Sequence, residues 1–240
     1  MEILEAIVLV GGKGTRLQSV VSDRPKPMAP VLGRPFLEWI IISLKRQGIK
    51  HIVLAIGYKG GLVREYFGDG SEWGVEIDYS QEVVPLGTGG AARLAIRMVK
   101  GEQVFVLNGD SLCGYNLQSL CRTYQQFQTD ATIWLVQMED CRRYGSVEID
   151  EDGRVIAFRE KDIQIGSGLV NVGVYLFLRH SLEELPLHKN ISLETQFFQQ
   201  LLNHNIYAVV GPPPFIDIGT PESYANAESF VEGFSYQFSD

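Results

Sequence analysis

The stretch that decides the fold is residues 6–30, AIVLVGGKGTRLQSVVSDRPKPMAP. Its first residues are part of a short apolar run, 3–10, which is rich in β-branched residues and predicts a buried β-strand. The run ends in a glycine-rich turn whose missing side chains let a phosphate group approach the backbone N–H groups. An arginine and a lysine follow, and the lysine lies between two prolines. The predicted polyphosphate cradle consists of Gly11, Gly12, Gly14, Arg16 and Lys26.

Two familiar phosphate-binding motifs do not fit this loop. The Walker pattern requires four residues between its glycines, followed by Gly-Lys-Ser/Thr. The dinucleotide fingerprint requires a third glycine three positions beyond Gly14, where this chain has Leu17. A glycine-rich turn with a solvated arginine is the structural alternative, and the second cation between prolines weakens it.

A set of further motifs follows the loop in order along nearly all of the chain. GGKGTRL followed by PKPMAP resembles the signature of the sugar-1-phosphate nucleotidyltransferases. These enzymes join a nucleoside triphosphate to a sugar 1-phosphate and release pyrophosphate. The resemblance continues through PLGTGGA at 85–91, NGD at 108–110, YGSV at 144–147, EK at 160–161 and DIGTPE at 217–222. No single motif is specific, but the ordered set is.

Length and composition bound the class of protein. The chain has 240 residues, 45% of them hydrophobic and 21% charged, which predicts a single α/β domain over 1–240. No apolar run reaches the roughly 18 residues that span a bilayer, and Glu2 and Glu5 stand where a secretory signal has basic residues. The three cysteines lack metal-ligand spacing, which predicts free thiols in a reducing cytoplasm.

The charge is distributed unevenly. The net charge of −8 argues against nucleic acid or an anionic membrane as a partner. Between Gly11 and Arg34, however, five basic residues face one acid, Asp23. The basic residues are Lys13, Arg16, Arg24, Lys26 and Arg34. This local excess of positive charge supports a binding loop for anionic substrates.

The first half of the chain, about 1–130, alternates strand and helix patterns. Pro35 is expected at a first helical position and Thr88 as a helix cap. The alternation predicts a Rossmann-like, mixed but mainly parallel sheet with helices on both faces, and ligands at the carboxyl ends of its strands. The glycine loop and Asp110 both fall at such ends. Strands are predicted at 3–10, 52–56, 75–79 and 104–107, and helices at 35–48, 60–67, 88–99 and 117–124.

Short strands dominate the second half, about 131–240. Asp152-Gly153 predicts a hairpin, and helices are expected at 192–202 and from Pro221. We expect this half to add antiparallel strands and, from the resemblance, a small lid-like part that binds the sugar phosphate. The predicted strands are 131–138, 145–150, 154–159 and 169–178.

The chemistry predicts cations and a metal rather than a proton-transfer pair. A sugar phosphate is already an anion, so the barrier lies in bringing two anions together and in stabilising charge as pyrophosphate leaves. Mg²⁺ prefers carboxylate and phosphate oxygens, and Asp110 and Asp217 each follow an apolar stretch. An aspartate at a strand end is often a turn former. The resemblance implies that these two aspartates are the metal ligands.

The resemblance also implies a role for individual side chains. Arg16 would hold the departing phosphates, Lys26 the reacting phosphate and Lys161 the sugar phosphate. Position 162 is Asp instead of the commoner Pro, so Lys161 as a solvated hairpin charge is an alternative. For Glu194, the alternative to a role in the sugar site is a solvated carboxylate on a helix surface. The implied nucleotide contacts are Leu9, Gly11, Gly12, Gly14, Thr15, Arg16, Lys26, Glu82, Pro85, Gly87, Thr88 and Asp110, and the implied sugar-phosphate contacts are Gly109, Tyr144, Gly145, Glu160, Lys161, Asn171 and Glu194.

The residue at the expected base position suggests the nucleotide. Enzymes of this family that use uracil or thymine tend to carry Gln where this chain has Glu82. An ionised Glu only accepts hydrogen bonds, which suits the two adjacent donors of guanine, N1–H and the exocyclic amine. GTP is therefore predicted, with cytosine as the second choice. A solvent-facing Glu82 is the alternative.

Within the family, the PKPMAP form, the Glu and the EK without proline most resemble the guanylyltransferases that act on D-glycero-α-D-manno-heptose 1-phosphate. Mannose-1-phosphate guanylyltransferases come second, and a cytidylyl- or uridylyltransferase of a hexose 1-phosphate stays open. A non-catalytic regulatory subunit would be expected to lack Arg16, Lys26 or Asp110, and all three are present. The sequence leaves the oligomeric state open, a homo-oligomer included.

Overall fold

The computed structural model describes residues 5–159, 166–202 and 204–234. The strands, in chain order, are β1 (Glu5–Leu9), β2 (Pro30–Val31), β3 (Arg34–Pro35), β4 (His51–Ile56), β5 (Glu76–Gln81), β6 (Gln103–Asn108), β7 (Ser111–Cys113), β8 (Ala131–Met138), β9 (Ser146–Ile149), β10 (Val155–Arg159), β11 (Gly168–Leu178), β12 (Ile206–Gly211) and β13 (Phe215–Asp217). The α-helices are α1 (Phe36–Arg46), α2 (Gly60–Phe67), α3 (Gly87–Ala95), α4 (Leu117–Phe127), α5 (Arg179–Glu183), α6 (Phe198–Leu201), α7 (Pro221–Ala225) and α8 (Ala227–Gly233). A π-helical turn, Leu193–Phe197, leads into α6.

Seven strands form one sheet in the order β12-β8-β11-β6-β1-β4-β5. β1 pairs in parallel with β4 and β6, β4 with β5, and β12 with β8. β11 runs antiparallel to both of its neighbours, β6 and β8. The predicted mixed, mainly parallel sheet is therefore confirmed, and the carboxyl ends of β1, β4 and β6 open along one edge.

Helices cover both faces of this sheet, as predicted. Because side chains alternate along a strand, Ala6 and Val8 of β1 point into one core and Ile7 into the other. The first core holds apolar residues of α1, α2, α4 and α8, and the second those of α3, α5 and α6. Full burial of a Val, Leu, Ile, Phe or Met side chain in these cores stabilises the fold by about 1.5–3 kcal/mol. No helix in the described ranges combines the length and the apolar character needed to cross a bilayer.

The second half adds antiparallel pairs, as predicted, since β11 pairs antiparallel with β6 and β8, and β9 with β10. β8 and β12 run in the same direction as the strands of the first half, so only β11 is reversed within the large sheet. The hairpin at Asp152-Gly153 is confirmed, since it joins β9 and β10 and Gly153 has φ +85°. β12 was not predicted. It is an edge strand with several half-exposed residues, and three prolines follow at 212–214.

Several predicted helix boundaries were also wrong. α1 begins at Phe36, so Pro35 precedes the helix and does not open it. α3 begins at Gly87 with Leu86 at its N-cap, and Thr88 lies inside the helix, where its hydroxyl bonds to another segment. The predicted helix at 192–202 is a π-helical turn followed by α6, and the C-terminal helix divides into α7 and α8.

At the amino ends of the strands, one cluster of polar side chains joins three neighbouring strands. His51, at the start of β4, contacts Glu5 of β1 at 2.9 Å and Asp78 of β5 at 3.1 Å. Glu5 also accepts hydrogen bonds from the backbone N–H groups of Lys100 and Gly101. Burial alone would raise the pKa of Glu5, but these hydrogen bonds outweigh it and the pKa is lowered.

Replacing Glu5 with Gln should therefore weaken the sheet in a pH-dependent way. We expect Glu5→Gln to lower the free energy of unfolding near neutral pH by about 1.5–3 kcal/mol, the range for hydrogen bonds to charged groups. The stabilisation is present above the ordinary pKa of 4.5 and is lost as the pH falls through the lowered folded-state value. Urea unfolding at neutral and acid pH measures the difference. Glu72→Gln is the matched control, and equal midpoints for Glu5→Gln and the wild type at neutral pH would contradict the expectation.

Candidate active site

A cleft of about 440 Å³ opens at the carboxyl ends of β1 and β6. It brings together residues that are far apart in the chain, from the glycine loop, the 82–91 segment, the NGD motif and Asn190. Most of the predicted nucleotide contacts lie here. The lining residues are Leu9, Val10, Gly11, Gly12, Lys13, Gly14, Lys26, Pro27, Glu82, Pro85, Gly87, Thr88, Ala91, Asn108, Asp110 and Asn190.

One end of the cleft, where the phosphates are predicted to bind, contains Lys26 and Asp110. Gly14 has φ +59°, and a Cβ atom at this position would lie only 2.8 Å from the Cβ of Lys26. A glycine is therefore needed for the loop to lie against Lys26. The Lys26 ammonium contacts the Asp110 carboxylate directly, and neither side chain is strongly exposed. A cation and an anion thus share the floor of the cleft.

Asp110 and Asp217 come together through a short antiparallel ladder. Asp217 ends β13 and pairs with Ser111 of β7, and the Ile218 N–H donates to the Asp110 carbonyl oxygen at 3.0 Å. Two carboxylates completed by phosphate oxygens and water are the usual ligand set of Mg²⁺. The donor set at this point fits a hard divalent cation.

The Asp217 carboxylate is held by side chains of the 143–144 segment. It accepts hydrogen bonds from the Tyr144 hydroxyl and from Arg143, and its other oxygen accepts from the Gly219 N–H at 2.7 Å. Burial and the neighbouring Asp217 carboxylate raise the pKa of Tyr144. Arg16 lies near the turn that follows Asp217, because one of its guanidinium nitrogens is 3.6 Å from the position that a Cβ atom on Gly219 would occupy. Arg16 therefore lies beside the metal-ligand candidates, and neither it nor Thr15 is among the residues that line the cleft.

The other end of the cleft, where the base is predicted to bind, contains Glu82. Its carboxylate is half-buried and accepts a hydrogen bond from the Leu86 N–H at 2.9 Å. The carboxylate also lies against the backbones of Gly11 and Gly57, where a Cβ atom would come within 2.7 and 2.5 Å of it. Burial raises the pKa of Glu82, and the Leu86 N–H offsets part of that rise. The solvent-facing alternative does not describe this side chain.

A second cavity of about 350 Å³ lies beside the first. Four predicted sugar-phosphate contacts line it. Gly109 packs instead beneath β1, where its N–H donates to the Leu9 carbonyl oxygen at 2.9 Å. Glu160 and Lys161 lie outside the described residues. The lining residues are Tyr144, Gly145, Ser146, Val147, Phe158, Arg159, Asn171, Glu194, Thr195 and Gln199.

Two buried polar residues near the cavities, Asn108 and Tyr175, were not predicted from the sequence as site residues. The Asn108 side-chain oxygen and the Tyr175 hydroxyl have no partner at hydrogen-bonding geometry among the described residues. Burial and the nearby Glu194 carboxylate raise the pKa of Tyr175 well above its ordinary value. Since buried polar groups are normally satisfied and Asn108 lines the first cleft, its side-chain oxygen is a candidate for contact with a ligand, whereas Tyr175 is not among the residues that line either cavity. Asn108 belongs to the NGD motif, whereas nothing in the apolar run around Tyr175 distinguished it.

Sequence comparisons place this geometry in a known family. Residues 5–233 match the family described as nucleotidyl transferase. The chain is 40% identical over 232 residues to D-glycero-alpha-D-manno-heptose 1-phosphate guanylyltransferase of Aneurinibacillus thermoaerophilus, covering 96% of this chain and 100% of that one. It is 41% identical to the enzyme of the same name from Campylobacter jejuni, over 92% and 97% of the two chains. Mannose-1-phosphate guanylyltransferase of Mycobacterium tuberculosis is 37% identical over 94% of this chain and 64% of its own.

Solved structures agree with the sequence comparisons. HddC from Yersinia pseudotuberculosis, crystallised in complex with GMP-PN, superposes with a TM-score of 0.85 at 33% identity over 95% of this chain and 100% of that chain. The inositol-1-phosphate CTP transferase from T. maritima, at 22% identity and a TM-score of 0.81, shares the fold. Nucleotidyltransferases generally use a divalent metal ion, which agrees with the paired aspartates. The family match, the sequence relatives and the solved structures agree with the cleft and the ordered motifs, and the chain belongs to the nucleotidyl transferase family.

Proposed function

We propose that this protein is a guanylyltransferase that joins GTP and D-glycero-α-D-manno-heptose 1-phosphate to give a GDP-sugar and pyrophosphate. The observation that carries the proposal is the polarity of the first cleft. A half-buried carboxylate, Glu82, lies at one end, where the base is proposed to bind, and the Lys26 ammonium and the Asp110 carboxylate lie at the other end, where the phosphates are proposed to bind. The names of the two heptose 1-phosphate relatives, which match nearly all of this chain, support the sugar.

In the proposed reaction, an oxygen of the sugar 1-phosphate attacks the α-phosphorus of GTP in line with the leaving group. The bond from the α-phosphorus to its bridging oxygen breaks, and pyrophosphate departs with that oxygen. Asp110 and Asp217 would hold Mg²⁺, which supplies charge neutralisation for the triphosphate. No general base is required, because the attacking oxygen is already anionic at neutral pH.

Cationic side chains of this chain are proposed to stabilise the negative charges of the reacting and departing phosphates. Lys26, at the floor of the cleft, stabilises charge on the reacting phosphate, and Arg16 receives the departing phosphates on the side of Gly219. Lys161 is proposed to hold the sugar phosphate, and Glu160, Tyr144 and Asn171 its sugar. The whole chain would act as one domain in the cytoplasm, with a nucleotide-binding half and a sugar-phosphate-binding half.

Mannose 1-phosphate is the second candidate substrate, because a mannose-1-phosphate guanylyltransferase matches this chain at 37% identity. A direct test crosses GTP, CTP, UTP and dTTP with heptose, mannose and glucose 1-phosphates in a pyrophosphate-release assay. We expect the highest kcat/KM for GTP with the heptose 1-phosphate. A preference for UTP or CTP would contradict the base assignment, and a preference for mannose 1-phosphate would replace the sugar.

Glu82→Gln tests the base assignment at one residue. The amide presents a donor towards one of the two guanine N–H groups and removes a charge-assisted bond of about 1.5–3 kcal/mol. We expect kcat/KM for GTP to fall about 10- to 150-fold, while the ratio of UTP to GTP activity rises. Glu65→Gln, an exposed change on α2, is the control. Unchanged selectivity among the four nucleotides would exclude Glu82 from base recognition.

Asp110→Asn tests the metal end of the cleft. Removing one preorganised charged group typically lowers turnover by about two to three orders of magnitude. We therefore expect kcat to fall by that amount and the Mg²⁺ concentration for half-maximal activity to rise. Asp69→Asn, at an exposed position after α2, should leave both quantities near the wild-type values. Near-normal turnover of Asp110→Asn would remove this carboxylate from the mechanism.

A further inference from the structure

A six-residue segment lies across the beginning of α3 and joins the two cavities. We call residues 189–194 the strap. The Gly89 N–H donates to the Ile191 carbonyl oxygen at 2.8 Å, and the Ile191 N–H donates to the Leu86 carbonyl oxygen at 2.8 Å. The Asn190 side chain adds a bond to the Pro85 carbonyl oxygen at 3.0 Å. The nucleotide-cleft loop 85–90 and the strap are therefore hydrogen-bonded along their length.

The contact between loop and strap is close because of a glycine. Gly87 has φ +70°, and a Cβ atom there would lie 2.5 Å from the Ile191 carbonyl oxygen. A side chain at this position would push the strap away from the loop. Part of the glycine-rich PLGTGG motif thus serves the packing of the strap, in addition to any contact with a base. A displacement of the loop is consequently transmitted to the strap.

Thr88 connects the two elements through its side chain. Its hydroxyl donates to the Glu194 carboxylate at 2.8 Å and accepts a hydrogen bond from the Leu193 N–H at 2.8 Å. A hydroxyl has a single hydrogen to donate, and here that hydrogen is committed to Glu194. Thr88 lines the first cleft, but its hydroxyl hydrogen is donated to Glu194, which lines the second cavity.

Glu194 lines the second cavity, and its orientation depends on these hydroxyls. The carboxylate oxygen that Thr88 contacts also accepts a hydrogen bond from the Ser192 hydroxyl at 2.9 Å. A free glutamate side chain loses rotamer entropy when it is immobilised on a ligand. Two hydroxyls that fix the carboxylate beforehand remove part of that cost from sugar binding.

We propose that Thr88 is a positioning residue that couples the two subsites. It holds Glu194 in the sugar cavity, so that ordering of loop 85–90 around the nucleotide strengthens the binding of the sugar 1-phosphate. The proposal rests on the function proposed above, in which the sugar phosphate occupies the second cavity. Such coupling is reciprocal for binding free energies, and typical values are about 5- to 150-fold.

Calorimetry on the full chain tests the coupling directly. The dissociation constant of D-glycero-α-D-manno-heptose 1-phosphate is measured with and without a non-hydrolysable GTP analogue and Mg²⁺. We expect the analogue to tighten sugar-phosphate binding at least about fivefold in the wild type. In Thr88→Val, which keeps the side-chain volume and removes the hydroxyl, most of this enhancement is lost. Thr88→Ser, which restores the hydroxyl, recovers it, and Thr88→Ala provides a second variant if the valine does not fold.

Steady-state kinetics separate positioning from a structural role. Thr88→Val should raise KM for the sugar 1-phosphate at saturating GTP about tenfold, as expected for loss of one hydrogen bond to a charged group, while the dissociation constant of the GTP analogue measured without sugar phosphate changes less than about twofold. An equal enhancement in Thr88→Val and wild type would overturn the proposal, and so would a large loss in binding of the GTP analogue alone that serine does not rescue. If the wild type binds no sugar phosphate at all, the proposed function fails instead, which is a separate outcome.

Discussion

The contact between the Lys26 ammonium and the Asp110 carboxylate is the interaction on which the site depends. The two side chains are only 14% and 29% exposed, so each has lost part of its hydration and is compensated mainly by the other. Removing one partner of such a pair leaves an uncompensated charge. In the free protein the pair therefore stores both charges at the floor of the cleft. In the proposed reaction, a substrate phosphate and a divalent cation would each supply the counter-charge that one partner needs when the pair separates.

Two local features keep this pair in place. Gly14 provides the space that the Lys26 side chain occupies, and the short ladder between β7 and β13 brings Asp217 next to Asp110. Although the protein has a net charge of −8, two lysines, Lys13 and Lys26, line the cleft and provide local positive charge for an anionic substrate. The base end has the opposite character, since the half-buried Glu82 carboxylate favours a base with two adjacent donors. Under the proposed function, the cleft would thus orient a nucleotide by charge as well as by shape.

Much of this architecture could be predicted from the sequence because it depends on local patterns. Apolar runs marked β1, β4 and β6, helical spacing marked α1, α2 and α4, and the glycine loop with its cations marked the phosphate end. What could not be predicted depends on pairings between distant residues. The β7–β13 ladder, the strap on α3 and the bond between Thr88 and Glu194 join positions about 100 residues apart. The sequence predicts Thr88 as a helix cap because it reveals only the local surroundings of this residue, whereas Thr88 lies inside α3. Tyr175 lies in an apolar strand, and only the fold places its hydroxyl near Glu194.

The measurement that tests the central claim most directly is a crystal structure with a non-hydrolysable GTP analogue and Mg²⁺. The account predicts the triphosphate against the backbone of Gly12 and the side chain of Arg16, with guanine on the Glu82 carboxylate. Lys26 should have moved from Asp110 to a phosphate oxygen, and the cation should be bound by Asp110 and Asp217. A triphosphate bound elsewhere, or an unchanged contact between Lys26 and Asp110 beneath a bound nucleotide, would contradict it.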